Sequence, residues 1–233
     1  RLRKLNLNKS ATKWDSFNKQ YQSDYNQYHK LRRLPKNPNT LDFYFSFRSP
    51  YSYIALERTF EMCDHYKVNL NIKPVLPMVM RGLTVPKAKR LYILKDTKRE
   101  AHLNGIAFGK ICDPLGSGVE RCLAIFSYAK EQSREREYLL SVCKGIWSEG
   151  VDVASNDLGK LVERAGLDWP TAQTYFQTKQ PHYNDWRVWT EKNRKDLSKR
   201  GIWGVPSYQY GELVVWGQDR IWAIEQAIAG TNR

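Results

Sequence analysis

A serine that directly precedes a predicted helix is the residue of this chain best placed to do chemistry. Ser49 is followed by Pro50, and the run from Tyr51 to Tyr66 has the apolar spacing of an α-helix. Proline suits the first turn of that helix, because it has no backbone N–H and its φ is already helical. Unpaired N–H groups and the positive end of the helix dipole are therefore expected beside Ser49.

This position favours a thiolate over a thiol, for the same reason that cysteine pKa values fall at helix N-termini. The chain has a hydroxyl there instead of a thiol. The sequence thus predicts that Ser49 donates a hydrogen bond to the sulfur of a bound ligand. The alternative is that Ser49 serves only as the N-cap of the helix.

The elements that must position Ser49 begin with a strand. Every second residue of the preceding segment is apolar, which is the period of a β-strand. These apolar positions are Leu41, Phe43, Phe45 and Phe47. A second strand is predicted over 69–75, and because a helix joins the two strands we expect them to be parallel.

The β pattern returns near the end of the chain. Residues 205–210 and 213–216 flank a glycine-containing turn, which predicts a hairpin, and a helix follows over 221–229. Between the two β regions, residues 87–200 show only helical patterns, enough for five or six helices. The chain is thus predicted to be an α/β protein of order β-α-β … β-β-α, a thioredoxin-like fold interrupted by an all-helical insertion domain.

Three short motifs lie at the predicted strand–helix junctions. They are Ser49-Pro50-Tyr51-Ser52, Gly204-Val205-Pro206 and Gly217-Gln218-Asp219-Arg220. In type and order they resemble motifs of the 2-hydroxychromene-2-carboxylate isomerases and the kappa-class glutathione transferases. Those enzymes are relatives of the thiol–disulfide oxidoreductases, with serine where the redox proteins carry C-x-x-C. The resemblance extends over about 41–230.

The resemblance implies glutathione as cofactor, with its thiol at Ser49. It implies a cis Val205–Pro206 bond and pairing of the Val205 backbone with the cysteinyl part of glutathione. At the γ-glutamyl end, Asp219 would bind the ammonium, while Gln218 and nearby N–H groups would bind the carboxylate. The family often has serine in place of Gln218. Lys89 lies in a segment similar to a lysine-containing segment of the kappa class, and a homodimer is also implied.

The reaction implied is the interconversion of 2-hydroxychromene-2-carboxylate and trans-o-hydroxybenzylidenepyruvate. The partner is then a small aromatic carboxylate, which Arg81, Lys87 or Lys89 could bind as an ion pair. Tyr51 could line an aromatic pocket, although core packing explains it equally well. The family uses an asparagine in the loop before residue 89, and Thr84 is its nearest counterpart in this shorter loop.

Composition further narrows the class of protein to which the chain can belong. A length of 233 residues with 41% hydrophobic residues indicates a globular protein of one or two domains. No apolar run is long enough to span a bilayer, so we expect no membrane association. The cysteines are Cys63, Cys112, Cys122 and Cys143. They have neither C-x-x-C nor zinc-ligand spacing, so we expect reduced, mostly buried thiols, no metal site and a cytoplasmic protein.

We expect a basic N-terminal extension over 1–40, a thioredoxin-like domain from 41–86 and 201–233, and the insertion domain over 87–200. The extension carries ten Lys or Arg and two Asp, which is +8 of the formal net charge of +14. Its aromatic residues at helical spacing are Trp14, Phe17, Tyr21, Tyr25 and Tyr28. They predict an amphipathic helix that packs on the body or on a second subunit. Nucleic-acid binding is the alternative, although no recognised nucleic-acid motif accompanies the helix.

Other functions remain open at this point. A kappa-type transferase would keep glutathione in its product, whereas an isomerase would not. A thiol–disulfide oxidoreductase is disfavoured by the lack of C-x-x-C. The last alternative is a cysteine-free thioredoxin-fold binding module that acts through its basic extension.

Overall fold

The computed structural model describes residues 39–177 and 185–231. Its sheet consists of β1 (Thr40–Phe45), β2 (Asn69–Pro74), β3 (Ser207–Tyr210) and β4 (Leu213–Trp216). Its α-helices are α1 (Pro50–Tyr66), α2 (Lys87–Leu103), α3 (Ser117–Glu131), α4 (Glu135–Lys144), α5 (Leu158–Arg164), α6 (Trp169–Thr174), α7 (Asp185–Lys199) and α8 (Ile221–Thr231). Short 3₁₀ segments cover Met78–Arg81 and Gln218–Arg220.

The strand order is β2-β1-β3-β4. Strand β1 runs parallel to β2, with Phe43 opposite Ile72, and antiparallel to β3, with Phe43 opposite Tyr208. Strands β3 and β4 form the predicted antiparallel hairpin. The order β-α-β followed by β-β-α confirms the predicted thioredoxin-like fold, in which β1 is an inner strand of the sheet and leads into α1.

The two-residue period of β1 separates two apolar clusters. Phe43 and Phe45 face the main core, where Phe43 stacks on Tyr208 at 5.0 Å between ring centroids. Tyr44 points to the other face and packs with Leu197. Burying each such aromatic ring contributes about 1.5–3 kcal/mol relative to exposure. These contacts hold the end of β1, and therefore the start of α1, in one position.

Six helices, α2 to α7, lie between β2 and β3 in the described residues, as the sequence predicts. Their buried apolar side chains belong to the same core as α1, except Leu197 of α7, which packs with Tyr44. Helix α4 ends at Lys144, and a π-helical turn follows over Gly145–Glu149. A side chain at position 145 would clash with Leu161 of α5, which shows how closely the two helices approach there. The domain boundaries remain predictions.

Several sequence predictions fall outside the described residues. The aromatic stripe and nearly all of the basic extension over 1–40 lie there. Within the described ranges, no helix combines the length and the apolarity that crossing a membrane requires. All four cysteines are free thiols and three are buried, as expected.

Candidate active site

Ser49 lies between α1 and the loop that leads into β3. It is the N-cap of α1, where its Oγ accepts a hydrogen bond from the Ser52 N–H at 3.1 Å, and Pro50 occupies the first helical turn. The same hydroxyl donates a hydrogen bond to the carbonyl of Val205 at 3.4 Å. Ser49 therefore caps α1 and also lies beside the turn that contains Val205.

The turn at 204–206 meets Ser49 because β1 and β3 are neighbours. Their pairing places Ser207 opposite Tyr44, so the residues just before β3 lie beside those just after β1. The Val205–Pro206 bond is cis, as predicted. The Gly217 N–H donates to the Pro206 carbonyl at 2.9 Å, which brings the third motif to the same place. The structure therefore brings the three motifs, which are distant in sequence, together at one place.

Two glycines permit this close approach. A side chain at Gly204 would collide with the indole of Trp216. Gly217 has a φ of 115°, and a side chain there would also clash with the Asp219 carboxylate. Both positions therefore require glycine, and the Trp203 and Trp216 rings pack edge to face beside them at 4.7 Å between centroids.

The three motifs open on a cavity of about 990 Å³. Eight of the nine predicted site residues line it, namely Ser49, Tyr51, Arg81, Lys89, Val205, Pro206, Gln218 and Asp219. Thr84 is exposed in the loop before α2 and does not line the cavity, whereas its neighbour Val85 does. The structure thus brings these residues together, and the role of each remains a prediction.

Gln218 and Asp219 differ in what their side chains contact. The amide of Gln218 is buried, donates to Glu100 at 3.1 Å and accepts from Arg58 at 3.2 Å. Arg58 of α1 also donates to the Gln218 carbonyl at 2.8 Å, so the turn is fastened to α1. The Asp219 carboxylate is mostly exposed, and its nearest basic group, that of Arg220, is 4.0 Å away. Asp219 is therefore the more available of the two for a ligand ammonium.

Tyr51 and Lys89 lie at the α2 side of the cavity. The Tyr51 hydroxyl donates to Asp96 at 2.6 Å. Burial, and then this hydrogen bond, raise the pKa of Tyr51, so the hydroxyl stays protonated. Tyr51 also lines the cavity. The Lys89 ammonium lies 5.6 Å from the centroid of the Trp203 ring, which is within range of a cation–π contact.

Two arginines on the cavity wall have different partners. Arg48 forms a bidentate pair with Asp113, at 2.7 and 2.6 Å. Arg81 donates to the Trp203 carbonyl at 2.9 Å and forms no ion pair with any described residue. Burial, with Arg194 nearby, lowers the pKa of Arg81. The Glu191 carboxylate acts in the opposite direction but forms no ion pair with Arg81. An arginine stays charged in proteins, so Arg81 is a half-buried cation without an ion pair among the described residues.

Sequence reasoning missed several residues of the cavity wall, namely Ser46, Arg48, Asp96, Asp113, Trp203 and Trp216. The tryptophans directly adjoin two of the motifs, so proximity in sequence could have identified them. Asp96 and Asp113 lie in the helical region with no recognisable signal.

The cysteines offer no redox chemistry at this site. Burial raises the pKa of Cys63 to about 12, and it also raises the pKa of Cys112, Cys122 and Cys143. Thiol–disulfide exchange requires a thiolate. None of the four cysteines lines the cavity.

Comparison with known proteins agrees with this fold. The family model described as DSBA-like thioredoxin domain matches residues 40–229. A curated relative named 2-hydroxychromene-2-carboxylate isomerase, from Pseudomonas putida, is 26% identical over 200 residues, which is 81% of this chain and 93% of the relative.

Two solved structures are similar in fold. A 2-hydroxychromene-2-carboxylate isomerase structure has a TM-score of 0.70 at 24% identity, covering 83% of this chain and 96% of that one. A probable DsbA oxidoreductase from Streptomyces coelicolor has a TM-score of 0.63 at 17% identity, covering 82% and 89%. The chain belongs to the DSBA-like thioredoxin domain family.

Proposed function

We propose that this protein is a glutathione-dependent isomerase that interconverts compounds like 2-hydroxychromene-2-carboxylate and trans-o-hydroxybenzylidenepyruvate. The observation that carries the proposal is that Ser49, Val205 and Asp219 line one cavity. Curated relatives named as isomerases support the reaction class.

The residues present fit glutathione at three points. Beside Ser49, a thiolate would accept a hydrogen bond from the serine hydroxyl. It would also lie at the N-terminal end of α1, where N–H groups favour an anion. Val205 offers its backbone to the cysteinyl part, as a strand added to an edge. The exposed Asp219 carboxylate suits the ligand ammonium.

When bound, glutathione would supply a thiolate that adds to the conjugated carbonyl compound, frees a locked bond to rotate and leaves again, so that none is consumed. The contribution of Ser49 is to keep that sulfur ionised with a fixed hydrogen bond. A thiolate held in this way needs no general base at the moment of addition.

The remaining wall suits an aromatic carboxylate. Among the described residues, six basic and four acidic side chains line the cavity: Arg48, Arg81, Lys87, Lys89, Arg90 and Arg220, with Asp96, Glu100, Asp113 and Asp219. The excess of positive charge attracts an anionic substrate. Trp147, Trp203 and Trp216 provide flat apolar surfaces for its ring.

The direct test is an isomerisation assay with 2-hydroxychromene-2-carboxylate, with and without glutathione, followed by mass spectrometry. We expect turnover only with glutathione and a product of unchanged mass. A product heavier by one glutathione would instead identify a transferase, and turnover without glutathione would contradict the cofactor.

Calorimetric titration with glutathione tests binding separately. We expect heat of binding with wild type and weaker binding with Asp219→Ala. Arg220→Gln is the neighbouring control, because it changes the same turn without removing the carboxylate. The absence of any heat with wild type would remove the glutathione proposal.

We further propose that the protein acts as a cytoplasmic homodimer, as the family resemblance suggests. Light scattering of the purified protein should give the mass of two chains. The mass of a single chain would contradict this part of the proposal.

A further inference from the structure

A few buried polar side-chain atoms in the described residues have no hydrogen-bond partner there. They belong to Ser46, Ser52, Arg81, Thr97 and Gln209. Leaving such an atom unpaired costs about 1–3 kcal/mol. Among these residues, Ser46 and Arg81 line the site cavity. The unpaired atoms themselves are shielded, so a ligand in the cavity reaches them once the side chains rotate toward it.

The positions of these two residues point to one wall of the cavity. Ser46 follows Tyr44 by two residues at the end of β1, and alternation along the extended chain places it on the Tyr44 face. On that face Tyr44 packs in a cluster that includes Val205. The Nη2 of Arg81 donates a hydrogen bond to the carbonyl of Trp203, which lies in the same loop before β3. Both residues therefore adjoin the loop that carries the cis proline.

The chemistry of the two atoms is complementary to a carboxylate. The Arg81 Nε is a donor on a cation that has no ion pair among the described residues. Ser46 is 2% exposed, and its hydroxyl can donate a hydrogen bond to a carboxylate in addition to the one from Arg81. Two donors, one of them charged, match the two oxygens of a carboxylate.

We propose that the Ser46 hydroxyl and the Arg81 Nε bind the carboxylate of the organic substrate. This subsite deepens the proposed function and rests on it. The Ser49 N–H donates to the Ser46 carbonyl at 2.9 Å, so one tight turn carries both serines. Ser46 thereby holds the substrate at a fixed distance from the sulfur that Ser49 binds.

The test compares calorimetric binding of 2-hydroxycinnamate with that of its neutral amide, 2-hydroxycinnamamide. We expect wild type to prefer the carboxylate. Ser46→Ala should bind the carboxylate about tenfold more weakly, the loss typical of one hydrogen bond to a charged group, and should bind the amide and glutathione unchanged.

Thr97→Val is the matched control, because Thr97 is also buried with an unpaired hydroxyl but does not line the cavity. It should leave all three affinities unchanged. The stability of Ser46→Ala to urea should equal or exceed that of wild type, since the substitution removes an unpaired buried hydroxyl; a large loss would show that Ser46 has a structural partner and would overturn the proposal.

The outcomes separate this subsite from the proposed cofactor. Equal binding of carboxylate and amide by wild type, or an unchanged preference in Ser46→Ala, overturns the subsite. Weaker glutathione binding by Ser46→Ala, with the carboxylate preference intact, also overturns it. If the preference is lost in Ser46→Ala while wild type does not bind glutathione, the subsite stands and the cofactor proposal fails.

Discussion

Two groups of polar side chains near β1 differ in how completely they are paired. In the first, on β1, β2 and α7, the Lys73 ammonium contacts Asp42 at 2.6 Å and Asp196 at 2.7 Å. The Tyr44 hydroxyl donates to Asp196 at 2.5 Å. Each charge of this Lys73 network thus has a counter-charge, and its members hold β1 and β2 to α7.

In the second group, on the cavity wall, Arg81 has only the more distant charge of Glu191 and no ion pair among the described residues, and the Ser46 hydroxyl is unpaired. Such an arrangement costs stability unless a ligand completes it. The comparison teaches that paired charges in this fold serve stability, whereas incompletely paired groups at the cavity serve binding. Substitutions in the two groups should therefore affect different measurements.

The largest effect is expected for Ser49→Ala. Loss of a fixed donor to a developing or bound anion typically costs about 10²–10³ in kcat, and loss of the N-cap costs about 1 kcal/mol of stability. Asp168→Ala is the control, since Asp168 caps α6 by accepting from the Thr171 N–H at 2.8 Å, away from the cavity. It should show the stability loss with normal turnover. Equal turnover by both variants would contradict the role of Ser49.

Lys73→Met should lower the stability of the fold and leave ligand binding unchanged. It leaves Asp42 and Asp196 without their shared cation, and we expect the free energy of unfolding to fall by about 2–3 kcal/mol. Glutathione binding should not change. Lys160→Met, which breaks an exposed pair with Asp157, should cost under about 0.5 kcal/mol by urea denaturation. If Lys73→Met weakened ligand binding without loss of stability, the comparison would fail.

Arg81→Gln should reduce binding more than stability, because besides the charge it removes only the hydrogen bond to the Trp203 carbonyl. We expect KM for the aromatic carboxylate to rise about tenfold, as for the loss of one charge-assisted hydrogen bond, with kcat nearly unchanged. Arg48→Gln is the companion variant, because Arg48 is already paired with Asp113 and should matter less for KM. A larger rise in KM for the Arg48 variant than for the Arg81 variant would contradict the assignment of Arg81 to carboxylate binding.

The smallest effect concerns the pH dependence of the Lys73 network. Burial alone would raise the pKa of Asp196, but hydrogen bonds from Lys73 and Tyr44 lower it to about 2. Because the folded pKa lies below the unfolded value, the carboxylate stabilises the fold above about pH 4, and this is lost as pH falls toward 2. Stability curves of wild type and Asp196→Asn should differ by about 1 kcal/mol at pH 6, after allowance for partial exposure, and converge near pH 2. A constant difference would contradict this linkage.

The motifs explain how much of the site could be predicted from sequence. Ser49 and Val205–Pro206 stand at junctions between strand and helix patterns, and such junctions have fixed places in a thioredoxin-like fold. Asp96 of α2 and Asp113 of the loop before α3 could not be predicted in this way, because a polar residue of a helix or loop looks the same in sequence whether it faces solvent or a cavity. The side chain of Gln218 also contacts Arg58 and Glu100, which no local pattern indicates.

The sequence by itself determined the order of elements, the N-cap at Ser49 and the glycines at 204 and 217, since these depend on local backbone preferences and periodicity. Only the tertiary structure decided which polar atoms have partners. Ser46 directly follows β1, and alternation alone assigns it merely to one face of the sheet. That its hydroxyl is buried without a partner depends on the tertiary packing around it, which no local pattern encodes.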